Sequence, residues 1–165
     1  MELVPCFSVN PSSCANSDFY KSYLQLMALS DLKDGRGTTH LYIDAKANRI
    51  MGFVSMRASS IVIDEDGRLV GSPAIEISVL AVDSAYEKRG VGRALIDYAV
   101  WQANEMRKQN IGVQHMVLIA DPKAIGFYKK VGFEPMPQSQ YKSPLETFSE
   151  GGVPMYFPLN FEMLL

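Results

Sequence analysis

The sequence predicts an α/β fold built on a mixed sheet, and three observations predict it. First, "AIEISVLAVD" (74–83) and "VQHMVLIA" (113–120) are nearly continuous apolar runs, as expected of strands buried on both faces. Second, each is followed by a stretch with the period of a helix. Third, "TTHLYIDAKANRIMGFVSMRASSIVI" (38–63) reads as two strands rich in aromatic and β-branched residues, joined near "DAKANR" as a hairpin. A hairpin followed by alternating strands and helices is the element order of such a sheet.

Taken in order, residues 3–9 alternate enough for a short strand. "NSDFYKSYLQLMALSDL" places Phe19, Tyr23, Leu26, Met27 and Leu29 near helical spacing, with Ser17 or Asp18 as its cap. After the hairpin, "DEDGRLVGSP" reads as a polar loop, the most mobile stretch of the first half. The helix after "AIEISVLAVD" runs about five turns. Leu95, Ile96, Ala99, Val100, Ala103 and Met106 line one face, while Asp97, Trp101, Glu105 and Lys108 lie mostly on the other. "DPKAIGFYKKV" is a short helix opened by a proline. "GFEPMP" starts a strand that two prolines break, "YKSPLETFSEGG" is a loop, and "VPMYFPLNFEMLL" is a closing strand region.

At 165 residues the chain has the length of one domain, expected to span 1–165. A net charge of −2 gives no global attraction to nucleic acid or an anionic membrane. No apolar run reaches the ~20 residues of a membrane span, and "MELVPCFSVN" lacks the pattern of a signal peptide. Cys6 and Cys14 do not pair with histidines in a metal-binding spacing, so the expectation is a metal-free cytoplasmic protein with free thiols.

The chemistry concentrates in "YEKRGVGRALI" (86–96), where Gly90 and Gly92 stand among Lys88, Arg89 and Arg93 at the start of a helix. The first N–H groups of a helix lack internal partners and carry about half a positive charge. Glycines there open the backbone to an anion such as a diphosphate. The same residues also suit a ligand-free turn, and G-x-G alone does not separate the two readings. The P-loop pattern G-x-x-x-x-G-K-[ST] is absent. A dinucleotide fingerprint wants a third glycine where Leu95 stands, and Asp121 lies too far on for its ribose acid.

"LAVDSAYEKRGVGRALIDYA" closely resembles the central motif of the GNAT acyltransferases: a strand, then Q/R-x-x-G-x-G/A, then a helix. "ADPKAIGFYKKVGFEP" is similar to that family's second motif, and the two cover residues 74–136 in the family's order and spacing. The resemblance implies a GNAT fold, a mostly antiparallel mixed sheet flanked by helices, whose two middle strands splay to admit acetyl-CoA. It implies transfer of acetyl from acetyl-CoA to a primary amine. By family position, the pantetheine would pair with backbone about Leu80, Ala81 and Val82, with the Ala81 or Val82 amide facing the oxyanion. The diphosphate would sit on Glu87, Lys88, Arg89, Gly90, Val91, Gly92, Arg93 and Ala94. Asp121, Ala124, Phe127 and Lys130 of the second motif complete the cofactor positions. Two departures stand out. Glu87 occupies the Q/R position, and Asp121 stands where many relatives carry asparagine.

The resemblance makes Tyr128 the acid that protonates the departing thiolate, against a core tyrosine as the plainer reading. Glu76 matches the base glutamate of the family's histone acetyltransferases, and a carboxylate inside a buried strand otherwise calls for an ion pair or a solvent-facing side. His40 and His115 read as structural; Lys129 and Lys130 as a solvated face that Lys123 and Arg107 extend; Trp101 as a half-buried ring or a homodimer contact.

Beyond the core motifs, the hairpin before "SPAIEISVLAVD", the run "AIGFYKKVGFEPMP" and the closing "VPMYFPL" resemble the family's toxins of toxin–antitoxin pairs, which acetylate the amino acid on charged tRNA. That adds charged tRNA to the candidate acceptors. A non-catalytic acetyl-CoA-binding module is the alternative that Glu87 leaves open.

Overall fold

The structure is a computed structural model, and it describes residues 6–12, 17–109, 111–141 and 151–159. Its centre is a six-stranded sheet ordered β1-β2-β3-β4-β6-β5. The strands are β1 (Thr38–Asp44), β2 (Arg49–Glu65), β3 (Arg68–Val82), β4 (His115–Ala120), β5 (Glu134–Pro135) and β6 (Val153–Pro158). All neighbouring pairs are antiparallel except β3 and β4, which run parallel and are linked through a long helix. The helices are α1 (Ser17–Ser22), α2 (Ala28–Lys33), α3 (Val91–Gln109) and α4 (Ile125–Lys130); a π-helical turn, Tyr23–Met27, joins the first two.

Two of the expectations need correction. Residues 64–73 are not a polar loop, because β2 and β3 continue as one hairpin to a tip at Asp66 and Gly67. Both tip residues have positive φ, 52° and 81°, the backbone that a two-residue hairpin turn requires and that Asp-Gly supplies. The Asp64 carboxylate accepts the Gly67 N–H at 2.7 Å and closes the turn. Residues 6–9 join no sheet, and the rest of the predicted 3–9 strand lies outside the described residues.

The ladder between β2 and β3 slips by one residue at Ser78, where Met56 pairs with Ile77 but Ser55 pairs with Val79. The Ser78 hydroxyl donates to the Ser55 carbonyl at 3.2 Å across this bulge. An unbroken strand puts residues 75, 77, 79 and 81 on one face. Here Ile75 and Ile77 pack with Leu95, Ile96 and Ala99 of α3, whereas Val79 and Ala81 pack with Phe7, Tyr23 and Phe53 on the other face. One strand therefore feeds its apolar side chains to cores on both faces of the sheet.

The N-terminus of α3 presses onto β2 at Gly52. A methyl group there would lie 2.8 Å from the Ala81 carbonyl oxygen and 3.0 Å from Leu95. Among the described residues no helix is long and apolar enough to cross a membrane, and no cluster of three or more His, Cys, Asp or Glu side chains is placed to hold a metal ion.

Candidate active site

β3 and β4 pair at only three positions, Ala74–His115, Ile75–Met116 and Glu76–Val117. Beyond these the two strands diverge, although β3 runs on to Val82 and β4 to Ala120. The far edge of β4 pairs with β6 along its whole length, so the gap opens on the β3 side alone. A cleft of about 620 Å³ fills this gap.

β3 exposes backbone to the cleft at alternate residues. Asp83 N–H donates to Met51 of β2, and the Ala81 carbonyl lies over Gly52. By the alternation of an antiparallel pair, Ala81 turns its polar groups to β2, while Leu80 and Val82 turn theirs to the gap. Val82, rather than Ala81, thus offers an amide there.

Where both strands end, the chain builds the start of α3. Lys88 and Gly90 have φ of 58° and 82°, and the Ala94 N–H makes the first turn's bond to the Gly90 carbonyl at 3.0 Å. The N–H groups of Val91, Gly92 and Arg93 precede that bond and have no partner within the helix. The two glycines do different work. Gly90 is needed for its left-handed backbone, since a Cβ there meets no atom within 4 Å. Gly92 is needed for space, since its Cβ would stand 3.3 Å from the Phe127 ring and 3.6 Å from Val82.

Most of the predicted positions converge on this cleft. Leu80, Ala81, Val82, Glu87, Lys88, Gly90, Val91, Gly92, Arg93, Asp121, Ala124, Phe127 and Tyr128 line it. Arg89, Ala94 and Lys130 do not. Arg89 lies over the Tyr86 ring, 5.6 Å from its centre, with Arg49 6.0 Å from the same ring. Lys130 is exposed on α4. Glu87 is approached by the Asn10 amide at 3.4 Å, and Asp121 accepts the Lys123 N–H at 2.8 Å, capping the turn after β4. Tyr128 is buried at 8% exposure, with Phe127 and Phe133 at 5.1 and 5.8 Å between ring centres. Burial raises the proton affinity of its phenol, and Tyr20 and Asp121 add to that direction.

Glu76 is placed otherwise than a base requires. It is 2% exposed and does not line the cleft. Both its oxygens accept from the Arg57 guanidinium, at 2.6 and 2.8 Å. Such a two-pronged, charge-assisted pair ties both oxygens to Arg57. Of the plainer readings, Arg107 donates to the Leu159 carbonyl and leaves the surface cations. His40 bonds the Tyr98 hydroxyl at 2.9 Å, and His115 sits 3.2 Å from Ser72; neither reaches the cleft. Trp101 is exposed beside Tyr98.

Four cleft residues come from the N-terminal part of the chain, and the sequence placed none of them at the site: Val9, Ser12, Phe19 and Tyr20. The helical periodicity around Phe19 located the helix that carries Phe19 and Tyr20, but nothing local tied it to a strand sixty residues away.

A family model for the acetyltransferase (GNAT) domain matches residues 37–135, which hold β1 to β5, the α3 cradle and α4. The chain belongs to the GNAT family. This GNAT chain is 38% identical over 72 residues to a mycothiol acetyltransferase of Propionibacterium freudenreichii subsp. shermanii; the match covers 44% of this chain and 21% of that protein, so it spans about a fifth of that relative's length. In three dimensions it is similar to AtaT complexed with acetyl-methionyl-tRNAfMet, at a TM-score of 0.76 and 15% identity, over 98% of this chain and 90% of the other. It is also similar to AtaTR bound with AcCoA, at a TM-score of 0.65 and 18% identity, over 88% and 82%. At these identities the likeness establishes the shared fold.

Proposed function

We propose that the chain is an acetyl-CoA-dependent N-acetyltransferase acting on a primary amine. One observation carries the reading. The outward amides of Leu80 and Val82, the open N-terminus of α3 and the side chain of Tyr128 border one cleft. In that cleft β3 offers backbone to an amide-bearing chain, and the α3 cradle with Lys88 and Arg93 takes a diphosphate. The Val82 amide faces the charge that develops on the thioester oxygen, and Tyr128 supplies a proton to the leaving sulfur. Glu76 holds Arg57 instead of acting on the amine.

The likeness to AtaT with its acylated tRNA supports a second, narrower reading, in which the amine is that of an amino acid carried on tRNA. Lys123, exposed at the cleft mouth and apart from the Lys88 and Arg93 that hold the diphosphate, suits a phosphate backbone arriving there. The decisive experiment supplies labelled acetyl-CoA to a charged tRNA pool and, in parallel, to free amines and peptides. Label on tRNA that is released with the amino acid supports the narrower reading. Label only on free amines or peptides supports the broader one. Bound acetyl-CoA with transfer to no acceptor would make the chain a binding module.

A further inference from the structure

Residues 6–12 run alongside the loop that leads from β3 into α3 and are bonded to it at successive points. Phe7 is buried, its ring centre 5.5 Å from that of Phe53. The Ser8 N–H donates to the Asp83 carboxylate at 3.0 Å, and the Ser8 carbonyl accepts the Ser84 N–H at 2.8 Å. Asp83 is fully buried and also accepts the Ala85 N–H at 3.0 Å, so one carboxylate caps the turn Ser84–Tyr86 and anchors the segment. Further along, the Asn10 amide spans from the segment to the cradle. Its nitrogen donates to Glu87 at 3.4 Å, and its oxygen accepts the Ser12 N–H and hydroxyl at 3.0 and 2.8 Å. Val9 and Ser12, on either side of this contact, line the cleft together with Glu87 and Lys88.

Glu87 is out of place at a diphosphate. The start of α3, Lys88 and Arg93 attract an anion, while a carboxylate among them repels it. The side chain is engaged elsewhere, with the N-terminal segment. We infer that Glu87 and Asn10 are positioning residues for acetyl-CoA: through Asn10, Glu87 latches residues 9–12 at the mouth of the cradle, where Val9 and Ser12 wall the bound cofactor. The inference rests on the acetyltransferase reading of the cleft, and it gives the carboxylate at the family's Q/R position a task other than holding phosphate.

The charge of Glu87 and its hydrogen bond act on acetyl-CoA in opposite directions, so removing them one at a time separates them. Glu87→Gln drops the charge and keeps an acceptor for Asn10. Glu87→Ala drops both. Asn10→Asp keeps the acceptor for Ser12 but sets two carboxylates against each other. Asn10→Asp combined with Glu87→Gln restores a donor facing an acceptor, with the polarity of the contact reversed.

The test titrates the full chain and these four variants with acetyl-CoA, and follows deuterium uptake of residues 6–12 without ligand. Glu87→Gln should bind at least as tightly as the natural chain, with unchanged uptake. Glu87→Ala should bind about three- to tenfold more weakly than Glu87→Gln, the range of one hydrogen bond, and should take up deuterium faster. Uptake should also be faster in Asn10→Asp and return to the natural rate in the double variant, a rescue that net charge alone does not produce. Equal affinity of Glu87→Ala and Glu87→Gln would show that Glu87 acts by its charge alone, and would overturn the inference. Uptake unchanged in Asn10→Asp, or left fast in the double variant, would overturn it too. In each of these cases the natural chain still binds acetyl-CoA and the acetyltransferase reading stands. A natural chain that binds no acetyl-CoA sinks that reading and the cofactor role with it, whereas the uptake series reads the latch independently of any ligand.

Discussion

Tyr128 keeps its proton because burial disfavours the phenolate, with Tyr20 and Asp121 reinforcing the effect. Its acid form therefore persists through the alkaline end of any working range, above the ordinary tyrosine value of 10. Removing only the oxygen tests the role. Tyr128→Phe should lower turnover by about 10²–10⁴-fold, with acetyl-CoA affinity and melting temperature nearly unchanged because the ring still packs on Phe127 and Phe133. Gly90 makes a different kind of demand. Its φ of 82° costs an L-residue roughly 1–2 kcal/mol, so Gly90→Ala should lower the melting temperature by a few degrees and weaken acetyl-CoA binding. An unchanged melt would mean that the turn relaxes to another backbone at no cost.

At the scale of elements, the β2–β3 hairpin decides what its side chains do. Counting outwards from the Asp66–Gly67 turn places Arg57 opposite Glu76, so this ion pair was legible to anyone who took Asp-Gly as a hairpin turn. Reading the same stretch as a loop hid the register, and Glu76 then looked like a carboxylate without a partner. Arg57 is 15% exposed in its side chain and Glu76 2%, so the pair is desolvated. Breaking such a pair from one side typically costs about 3–5 kcal/mol, while replacing both members by apolar residues is often neutral. Glu76→Leu alone should therefore lower the urea midpoint strongly, and Arg57→Met with Glu76→Leu should recover most of it. Equal losses in the single and double variants would show that the pair is not coupled.

For the molecule as a whole, the alternation of strand and helix and the order of the two glycine-containing motifs were legible in the sequence, because burial on both faces and helix starts leave local signatures. The second wall of the cleft was not. Val9, Ser12, Phe19 and Tyr20 reach it only once the N-terminal segment packs over β3, and no local pattern records that contact. The bulge at Ser78 was equally silent, since an apolar strand reads alike in either register. A property of the whole fold follows from its two histidines. Burial lowers the proton affinity of His40 and His115 below the ordinary value of 6.5. As pH falls through about 6.5 the unfolded chain takes up these protons before the folded one does, so stability is lost on acidification in that window. The urea midpoint at pH 5.5 should lie below that at pH 7.5, and His40→Gln with His115→Gln should flatten the difference. A midpoint insensitive to pH across that window would deny both histidines the role.

Ser78 also gives this strand a reading frame. Because its neighbours Ile77 and Val79 already face opposite cores, deleting Ser78 leaves the flanking side chains on their own faces. Deleting Leu80 two positions on would instead send Ala81 and Val82 to the wrong sides. A bulge also bends and twists its strand, and this one follows directly on the last pairing between β3 and β4. The shortened protein lacking Ser78 should accordingly fold, with a regular ladder, and yet bind acetyl-CoA poorly because the bend that starts the divergence is gone. A lineage of such chains can gain or lose its cofactor gap by one codon at this place.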